Sequence, residues 1–452
     1  MSIKYYSTNL QSEKVSFRDA LLQGQAPDRG LYMPESIPQL TREQIWEFRN
    51  KEYYEIAYEV ISRFTQDEIP AADLMAIVKD AYNFQVPLEK VYNRNYIMRL
   101  DQGPTASFKD FAARLMGRLM QYFLKKENRK MLILTATSGD TGSAIANAFY
   151  GLDNINVVIL FPESEVSDRQ RKQMTTLNKN IQVLALNGKF DDCQALVKEA
   201  FADSALDYLQ LSSANSINIG RLIPQSVYYF YAYSRLAKSI DDEIVFSVPS
   251  GNFGDLMGGI IAKHMGLPVK RFVISTNAND EVPVYFTDGY YKTIVPSRNC
   301  ISNAMNVGHP SNMARIVALY GGVMDEKGVI KKEPDVQKLK NDMYAVSISD
   351  EHTKATIKSV YDKHKVLLEP HGAVGWSGLQ DFHTKNPANN DQLCVSLETA
   401  HPAKFPNEIQ QILGIDPELP ESLKNLEGKP EKMEKITSDF ASFKAFLIKN
   451  YK

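Results

Sequence analysis

Apolar residues in the first 92 positions recur mainly at helical spacing. The pattern predicts four helices, because side chains three and four residues apart share one face of a helix. The first runs from Ser16 to Gly24, and a capping box of Thr41 and Gln44 opens the second. YEIAYEVISRF and PAADLMAIVKDAY form the other two, and IKYYST and GLYMP are predicted strands. Residues 1–92 carry no motif with recognisable chemistry, so we interpret them as an appended, mainly helical N-terminal domain.

From about Tyr92 onwards, short apolar strands alternate with helices. The predicted strands are NYIMRL, MLILTA, NVVILF, IQVLAL, YLQLSS, EIVFSV, RFVIST, KVLLEP and QLCVSL. Helices are predicted after Ser107, Ser138 and Gly254, and over DRQRKQMTTL, FDDCQALVKEAF, YYFYAYSRLAKSI, KATIKSVYDKH, PNEIQQILG and FASFKAFLIK. This order predicts an α/β region over residues 93–452, with parallel sheets covered on both faces.

Composition narrows the class of protein. The net charge of −2 over 452 residues gives no reason to expect a nucleic-acid partner. Cys193, Cys300 and Cys394 lie far apart, which argues against a disulfide framework or a zinc site and fits a reducing compartment. No apolar run approaches the roughly 20 residues that span a bilayer. We therefore expect a cytoplasmic protein of enzyme-like size, without a membrane partner and without a metal.

The segment from Gly103 to Phe111 combines turn residues with the start of a helix. Gly103-Pro104 ends the preceding strand, and Ser107 is the predicted N-cap. Lys109 then lies at the helix N-terminus, whose partial positive charge lowers the pKa of a lysine and favours the neutral, nucleophilic amine. A single lysine is far more often a solvated surface residue, so this interpretation depends on the neighbouring loops.

Two further loops have the composition of anion-binding sites. Thr137–Gly142, between MLILTA and a helix, and Pro249–Asp255, after EIVFSV, both carry glycines that expose backbone N–H groups at a helix start. A tight, well-capped turn would explain the first loop equally well. Neither loop matches a dinucleotide or nucleoside triphosphate motif, so those ligands are poor candidates.

Two more segments add polar groups at predicted strand ends. Ser213–Arg221 offers two amides, a hydroxyl and a guanidinium, which suits phosphate or carboxylate. Leu397–Phe405 offers a hydroxyl, an imidazole and an ammonium, although a turn closed by Pro402 explains His401 alone. Because ligands of α/β sheets bind at the carboxyl ends of the strands, we expect these loops to meet. A reactive lysine beside phosphate-type loops indicates pyridoxal 5'-phosphate as the cofactor.

The motifs GPTASFKDF, SGDTG, ANSINIGR, SGNFGD and ETAHPAKF, in this order, resemble those of the threonine synthase family. The long bacterial and fungal branch is the most similar, and the resemblance covers essentially the whole chain. It implies a fold type II pyridoxal phosphate enzyme, similar to the tryptophan synthase β subunit, with two parallel-sheet α/β domains and the active site between them. The implied reaction converts O-phospho-L-homoserine and water into L-threonine and phosphate.

The same resemblance implies roles for individual residues. Lys109 would hold the cofactor as a Schiff base and move protons, and Thr399 would meet the pyridine nitrogen. The cofactor phosphate would be bound by Gly251, Asn252, Phe253, Gly254 and Asp255. The substrate would be bound by Ser138, Gly139, Asp140 and Thr141 near its carboxylate, and by Asn215 and Arg221 at its phosphate. Relatives often have asparagine where this chain has Asp255, whose carboxylate we interpret as a cap for backbone N–H groups.

Two alternatives remain at this stage. Another fold type II lyase, such as threonine dehydratase or a threonine-synthase-like phospholyase, would share the lysine and the cofactor. A non-catalytic regulator that binds a sugar phosphate would share only the sheet. The Asn215–Arg221 segment argues against the dehydratase, which has no substrate phosphate to bind, and Lys109 in its motif argues against the regulator. The expected assembly is a monomer or a homodimer.

Overall fold

The structure is a computed structural model that describes residues 3–387 and 391–451. In chain order its strands are β1 (Tyr5–Ser7), β2 (Tyr32–Pro34), β3 (Leu88–Tyr92), β4 (Asn95–Arg99), β5 (Met131–Ala136), β6 (Ile155–Pro162), β7 (Ile181–Leu186), β8 (Leu211–Ser213), β9 (Ile244–Pro249), β10 (Val269–Thr276), β11 (Val323–Met324), β12 (Ile330–Lys332), β13 (Met343–Ser347), β14 (Leu393–Glu398) and β15 (Glu434–Ile436).

The α-helices alternate with most of these strands. They are α1 (Phe17–Gln23), α2 (Arg42–Glu47), α3 (Tyr53–Thr65), α4 (Ala71–Ala81), α5 (Lys109–Lys126), α6 (Asp140–Phe149), α7 (Asp168–Thr175), α8 (Phe190–Ala202), α9 (Ser226–Leu236), α10 (Gly254–His264), α11 (Glu281–Asp288), α12 (Met313–Leu319), α13 (Val336–Asp342), α14 (Asp350–His364), α15 (Pro370–Lys385), α16 (Pro406–Leu413), α17 (Glu421–Lys424) and α18 (Phe440–Tyr451). No helix of the described part of the chain is long and apolar enough to cross a membrane.

Two sheets carry the α/β part of the molecule. The larger has six strands in the order β13-β10-β9-β14-β4-β3, all parallel except β3, which runs antiparallel to β4. The smaller has five parallel strands in the order β15-β7-β6-β5-β8. Every residue of β5, β9 and β14 is buried, as expected for central strands covered on both faces. The predicted α/β fold with two parallel sheets is therefore confirmed.

The N-terminal part forms the four predicted helices and one short antiparallel pair, β1 with β2. Both predicted caps are present: the Ser16 side chain accepts from the Asp19 amide, and Thr41 forms a capping box with Gln44. The buried residues of α1, α3 and α4 join one hydrophobic core with those of α5 and α9. The N-terminal part is therefore packed against α5 and α9.

Three predicted elements differ from the structure. KVLLEP is not a strand; it leads into α15, a helix that the sequence did not reveal. Glu369 caps this helix by accepting hydrogen bonds from the His371 and Gly372 amides. In YLQLSS only Leu211–Ser213 is a strand, since the preceding residues form a 3₁₀ turn. The helix over YYFYAYSRLAKSI ends at Leu236.

Candidate active site

Lys109 is held where the loops that follow β4 and β14 meet. The Phe108 amide donates to the Thr399 carbonyl at 2.9 Å, and the His401 amide donates to the Ala106 carbonyl at 3.0 Å. These two bonds form an antiparallel bridge between Ser107 and Ala400, just beyond the parallel pairing of β4 with β14. The start of α5 and the backbone of Thr399 are therefore fixed to one another.

The loop before Lys109 is closed by Asp110, not by the predicted cap Ser107. The Asp110 carboxylate accepts from the Thr105 amide at 2.8 Å and from the Thr105 hydroxyl at 2.7 Å. Phe108 occupies the N-cap position, and the buried Ser107 hydroxyl has no hydrogen-bond partner among the described residues. The prediction for Ser107 was wrong because these bonds within the loop replace a side-chain cap.

The Lys109 amine has an unusual electrostatic environment. Burial lowers its pKa to about 8; the carboxylate of Asp140 opposes this shift, and the positive charges of Arg221 and Lys404 add to it. The amine also lies 4.3 Å from the centre of the Phe108 ring. The pKa is lowered, as predicted, and desolvation is the main cause. A lysine with this pKa has a substantial neutral fraction near neutral pH.

Asp140 and Lys404 form a buried ion pair beside Lys109. The Lys404 Nζ lies 2.6 Å from the Asp140 Oδ1 and also donates to the Thr105 carbonyl at 2.9 Å. The Gln170 amide donates to the same Asp140 oxygen at 2.9 Å. Burial raises the pKa of Asp140, but the charges of Lys404 and Lys109 outweigh it and hold that pKa well below its usual range. Asp140 is therefore ionised in the folded protein.

The loop before α6 is closed by the side chain of Thr137. The Thr137 hydroxyl accepts from the Gly139 and Gly142 amides at 3.0 and 2.7 Å. Gly139 has a φ of 129°, where a side chain would also meet Gln170. Ser138 and Thr141 are half-buried on either side of the helix start. The predicted loop of Ser138, Gly139, Asp140 and Thr141 thus lies next to Lys109 through Asp140.

The loop from Gly251 to Asp255 joins β9 to α10. Phe253, at the N-cap, has the left-handed conformation (φ 60°, ψ 15°), which is costly for a residue with a side chain. A Cβ at Gly251 would lie 2.9 Å from the Met305 Cα, whereas a Cβ at Gly254 would meet nothing closer than 3.6 Å. A Cβ at Gly254 would therefore be in ordinary van der Waals contact with Asn312, Gln225 and Ser216, so the start of α10 has room for one methyl group.

Asp255 does not cap backbone N–H groups as predicted. Its Oδ1 accepts from the hydroxyls of Tyr228 and Tyr229, at 2.5 and 2.8 Å, both on the neighbouring helix α9. Burial raises the pKa of Asp255 to about 6, against the effect of these bonds and of Lys109. Its Oδ2 is buried without a partner in the described part of the chain. Asp255 thus ties α10 to α9.

Asn215 and Arg221 lie in the segment that follows β8. The Asn215 amide donates to the Ala136 carbonyl at 3.2 Å, which connects this segment to the end of β5. The Arg221 Nη1 donates to the Ala214 carbonyl at 2.6 Å, and its buried Nε has no partner in residues 3–387 and 391–451. Burial lowers the pKa of Arg221 to about 10, although Asp110 and Tyr228 oppose this. A buried guanidinium with an unused donor is suited to bind an anion.

Thr399 is connected to a buried acidic group that the sequence did not reveal. Its hydroxyl lies 3.3 Å from the Glu369 Oε1, and the Glu369 Oε2 lies 2.5 Å from the His371 Nδ1. The His371 Nε2 accepts from the Ala304 amide at 3.1 Å, so Nδ1 carries the proton that Glu369 accepts. Burial and the nearby charge of Glu369 raise the pKa of Glu398 well above its ordinary value. Glu369 is therefore the carboxylate that positions the Thr399 hydroxyl.

The sequence analysis did not identify Glu369 or His371 as site residues. It included Lys404 only as the ammonium group of its loop and did not predict the ion pair with Asp140. A Glu-Pro-His-Gly run is itself a helix-start signal, which would have located Glu369 at the N-cap of α15. His401 accepts from the Ala403 amide at 3.1 Å, so the simple turn interpretation of that residue is confirmed. Among the described residues no group of three or more His, Cys, Asp or Glu side chains could hold a metal ion.

Family models match the chain in three successive parts. The threonine synthase N terminus matches residues 4–82, the pyridoxal-phosphate dependent enzyme family matches residues 86–399, and the threonine synthase C-terminal family matches residues 372–447. Together these matches cover both the N-terminal helices and the two sheets.

Individual proteins match over their full length. Threonine synthase of Haemophilus influenzae is 43% identical over 448 residues, which cover 98% of this chain and 99% of that protein. Threonine synthase of Escherichia coli is 38% identical over 447 residues, 99% of each chain. The crystal structure of pyridoxal-phosphate-bound threonine synthase from Brucella melitensis has a TM-score of 0.92 and 37% identity, with 100% of both chains covered. That of threonine synthase from yeast has a TM-score of 0.89 and 30% identity, with 99% of this chain and 98% of that chain covered.

Proposed function

The chain belongs to the threonine synthase family of pyridoxal-phosphate-dependent enzymes, and we propose that it converts O-phospho-L-homoserine and water into L-threonine and phosphate at the site around Lys109. Membership in the family also makes pyridoxal phosphate the cofactor. The roles of the individual residues and the identity of the substrate are the parts that we propose.

The residues of this site fit pyridoxal phosphate. Gly254, the first residue of α10, has no side chain, which lets a phosphate approach the helix N-terminus, and a larger side chain would occupy that position. Burial keeps the Lys109 amine nucleophilic enough to bond to an aldehyde. We propose that Lys109 holds the aldehyde carbon, Gly251, Asn252, Phe253, Gly254 and Asp255 form the phosphate loop, and Thr399 contacts the pyridine nitrogen. Asp255 contributes by fixing α10 to Tyr228 and Tyr229.

The bound cofactor supplies an electron sink for the carbanion that forms at Cα. The phosphate leaves from Cγ and the new hydroxyl is placed on Cβ, so protons have to be moved at Cα, Cβ and Cγ. Lys109 would be free for these transfers once the substrate amine takes its place on the aldehyde carbon, and we assign its free amine as their base, because its lowered pKa allows it both to accept and to donate a proton near neutral pH. Asp140 and Lys404, paired beside it, keep the local charge balanced during these transfers.

Thr399 offers a neutral hydroxyl to the pyridine nitrogen, not a carboxylate. Its bond to Glu369 orients that hydroxyl, since Glu369 is itself fixed by His371 and by the Gly372 amide. A hydroxyl stabilises a protonated ring nitrogen less than a directly bound carboxylate does. We therefore propose that Glu369 acts on the ring nitrogen only through Thr399.

The environment of Arg221 favours a phosphorylated substrate. Its guanidinium is buried, forms no ion pair with a carboxylate of the described residues, and retains an unused donor. Burying a charge without a counter-ion is unfavourable, and a phosphate dianion would compensate it. Asn215 lies in the same segment, and we assign Ser138 to Thr141 to the substrate carboxylate. A threonine dehydratase, whose substrate has no phosphate, would gain nothing from this arginine.

The experiment is a comparison of two substrates in Arg221→Ala. Loss of a charge-assisted hydrogen bond costs roughly 1.5–3 kcal/mol, so kcat/KM for O-phospho-L-homoserine is expected to fall by at least about tenfold. Slow deamination of L-serine and spectral binding of the cofactor are expected to be unchanged, because neither uses this site. Arg235→Ala, which removes an arginine that binds the carbonyls of residues 48, 49 and 51 and lies over the Tyr231 ring, is the matched control. Equal loss of both activities would show that Arg221 does not bind the substrate phosphate.

Several expectations stay predictions. These are the cytoplasmic location, the absence of a metal, the monomeric or homodimeric state and the domain boundary at residue 92. The three cysteines are free thiols, two of them buried, which is the state that a reducing compartment maintains. Size-exclusion chromatography with light scattering measures the assembly directly.

A further inference from the structure

Asn312 and Arg315 join the two loops that the proposed function assigns to the two phosphates. Both lie at the start of α12, in a region to which the sequence analysis assigned no function. The Asn312 amide donates to the Asn252 carbonyl at 2.9 Å and to the Ser216 carbonyl at 3.3 Å. One side chain therefore connects the loop at Gly251–Asp255 with the segment at Asn215–Arg221.

Arg315 extends this connection. Its Nη1 donates to the Ser216 carbonyl at 3.1 Å and to the Asn312 Oδ1 at 2.7 Å, and its Nη2 donates to the Ile217 carbonyl at 2.6 Å. Its Nε donates to the Tyr32 carbonyl at 3.2 Å. A guanidinium holds such a set of acceptors in one rigid plane. Arg315 thus anchors the backbone of Ser216 and Ile217, next to Asn215, to the backbone of Tyr32.

All of these acceptors are uncharged. Arg315 is fully buried, and in residues 3–387 and 391–451 no carboxylate forms an ion pair with it. Burial lowers its pKa to about 9, and only the nearby Tyr6 opposes this. The positive charge of Arg315 is hydrogen-bonded only to uncharged dipoles, so it is not neutralised, and the low local dielectric screens its electric field little. It therefore stabilises an anion bound nearby.

The N-terminal part of the chain takes part in the same anchoring. Tyr32, which accepts from Arg315, belongs to β2. From the other side, the Asn218 amide donates to the Leu21 carbonyl of α1 at 2.9 Å and to the Ser213 carbonyl at 3.0 Å. The segment from Asn215 to Arg221 is therefore held between α1, β2 and α12.

We propose that Arg315 is a positioning residue for the substrate phosphate, which holds the Ser216 and Ile217 carbonyls against the N-terminal part so that Asn215 and Arg221 stay oriented towards that phosphate. This rests on the proposed function, which places the substrate phosphate at Arg221. Asn312 couples that segment to the cofactor loop. On this basis the N-terminal part supports substrate binding indirectly, through the segment from Asn215 to Arg221.

The first test uses the holoenzyme and inorganic phosphate, measured by calorimetry. Arg315→Met is expected to weaken phosphate binding by about tenfold or more, the effect of losing charge-assisted hydrogen bonds. Cofactor affinity, from spectral titration, and the spectral shift on L-serine binding are expected to stay within about twofold, since neither uses Ser216 or Ile217. Arg315→Lys, which keeps the charge and one donor, is expected to recover part of the loss.

The controls separate the possible results. Arg235→Met removes another arginine that binds backbone carbonyls and is expected to leave phosphate binding unchanged. Wild-type phosphate affinity in Arg315→Met, or an equal loss of phosphate, cofactor and L-serine binding, would overturn the role of Arg315. Arg221→Ala in the same assay tests the proposed function: if it binds phosphate normally, the substrate site is misplaced, whatever Arg315 does.

A second variant covers the case in which Arg315→Met fails to fold. Asn312→Ala removes one acceptor for Arg315 and the donors to both loops, and it leaves the Arg315 guanidinium bonded to the carbonyls of Ser216, Ile217 and Tyr32. It is expected to weaken both inorganic phosphate and the cofactor. Wild-type affinity for both would contradict the coupling of the two loops.

Discussion

The Lys404 Nζ lies 2.6 Å from the Asp140 Oδ1, and both side chains are almost completely buried. Such a pair is costly to desolvate, but removing one partner costs more, because the other charge stays buried alone. Lys404→Met is therefore expected to lower the free energy of unfolding by about 3–5 kcal/mol. Denaturant unfolding of the apoprotein measures this.

The matched comparisons use a second variant and an exposed pair. Adding Asp140→Asn to Lys404→Met is expected to restore part of the stability, since the uncompensated carboxylate is removed. Lys435→Met, which breaks an exposed pair with Glu163, is expected to cost less than about 1 kcal/mol. Additive effects of Lys404→Met and Asp140→Asn would contradict the coupling.

The pKa of Lys109 predicts how cofactor loading depends on pH. Only the neutral amine attacks the aldehyde, so the rate of loading in the apoenzyme is expected to rise through a pH of about 8. In Asp140→Asn the carboxylate that raises the Lys109 pKa is lost and Lys404 is left uncompensated, so the midpoint is expected to move lower. Stopped-flow absorbance of the bound cofactor measures it, and an unchanged or higher midpoint would exclude this role of Asp140.

Lys109 should be the residue that carries the cofactor. Lys109→Ala is expected to lose the visible absorbance and all turnover, while far-UV circular dichroism shows a retained fold. Borohydride reduction of the wild-type holoenzyme and peptide mapping are expected to place the label on Lys109. Finding the label on Lys404 or Lys172 instead would disprove the assignment.

Gly254 and Gly251 should respond differently to a side chain. Gly254→Val is expected to weaken cofactor affinity strongly with little change in stability, because its Cβ meets nothing closer than 3.6 Å. Gly251→Ala is expected to destabilise the protein itself, because its Cβ would lie 2.9 Å from the Met305 Cα. Spectral titration and thermal unfolding separate the two effects. Equal cofactor affinity in Gly254→Val would place the phosphate at another loop, with Ser138–Gly142 next.

Asp255 predicts a pH-dependent stability of the apoprotein. Its folded-state pKa of about 6, raised by burial, exceeds its ordinary value of 3.8, so folding favours the protonated form. Relative to Asp255→Asn, the wild type is expected to lose stability as the pH rises from 3.8 through about 6, by about 3 kcal/mol in total.

Asp242 gives the opposite sign and serves as the control for that measurement. Burial raises its pKa, but the bonds from Arg94 and from the backbone lower it below the ordinary value. Its ionised form therefore stabilises the folded state above a pH of 3.8, and that stability is lost as the pH falls. Asp242→Asn is expected to be less stable than the wild type at neutral pH. The same sign in both variants would rule out the assigned pKa of Asp255.

The parallel sheets were predictable because central strands such as MLILTA are almost entirely apolar, and the turn residues mark where each one ends. The loops were predictable as helix starts because glycine and hydroxyl residues cluster there. KVLLEP was misread since a short apolar run has no period of its own, and only Glu369 at the start of α15 decides its conformation.

The missing site residues have a different cause. Arg315 acts through the carbonyl of Tyr32, 283 positions away in the chain, and Lys404 acts through Thr105, 299 positions away. Backbone carbonyls are present at every residue, so no spacing of residue types signals such contacts. Local chemistry can be read from a motif, whereas the groups that hold a motif in place depend on the tertiary fold.

The central place of β14 in the larger sheet has a consequence for synthesis. This strand lies between β9 and β4, so until it leaves the ribosome the nascent sheet exists as two halves with open edges. Thr399, directly after β14, also arrives only then. Chains that stop early are therefore expected to be clients of chaperones and proteases, without partial activity, and the cofactor is captured only once translation is nearly complete.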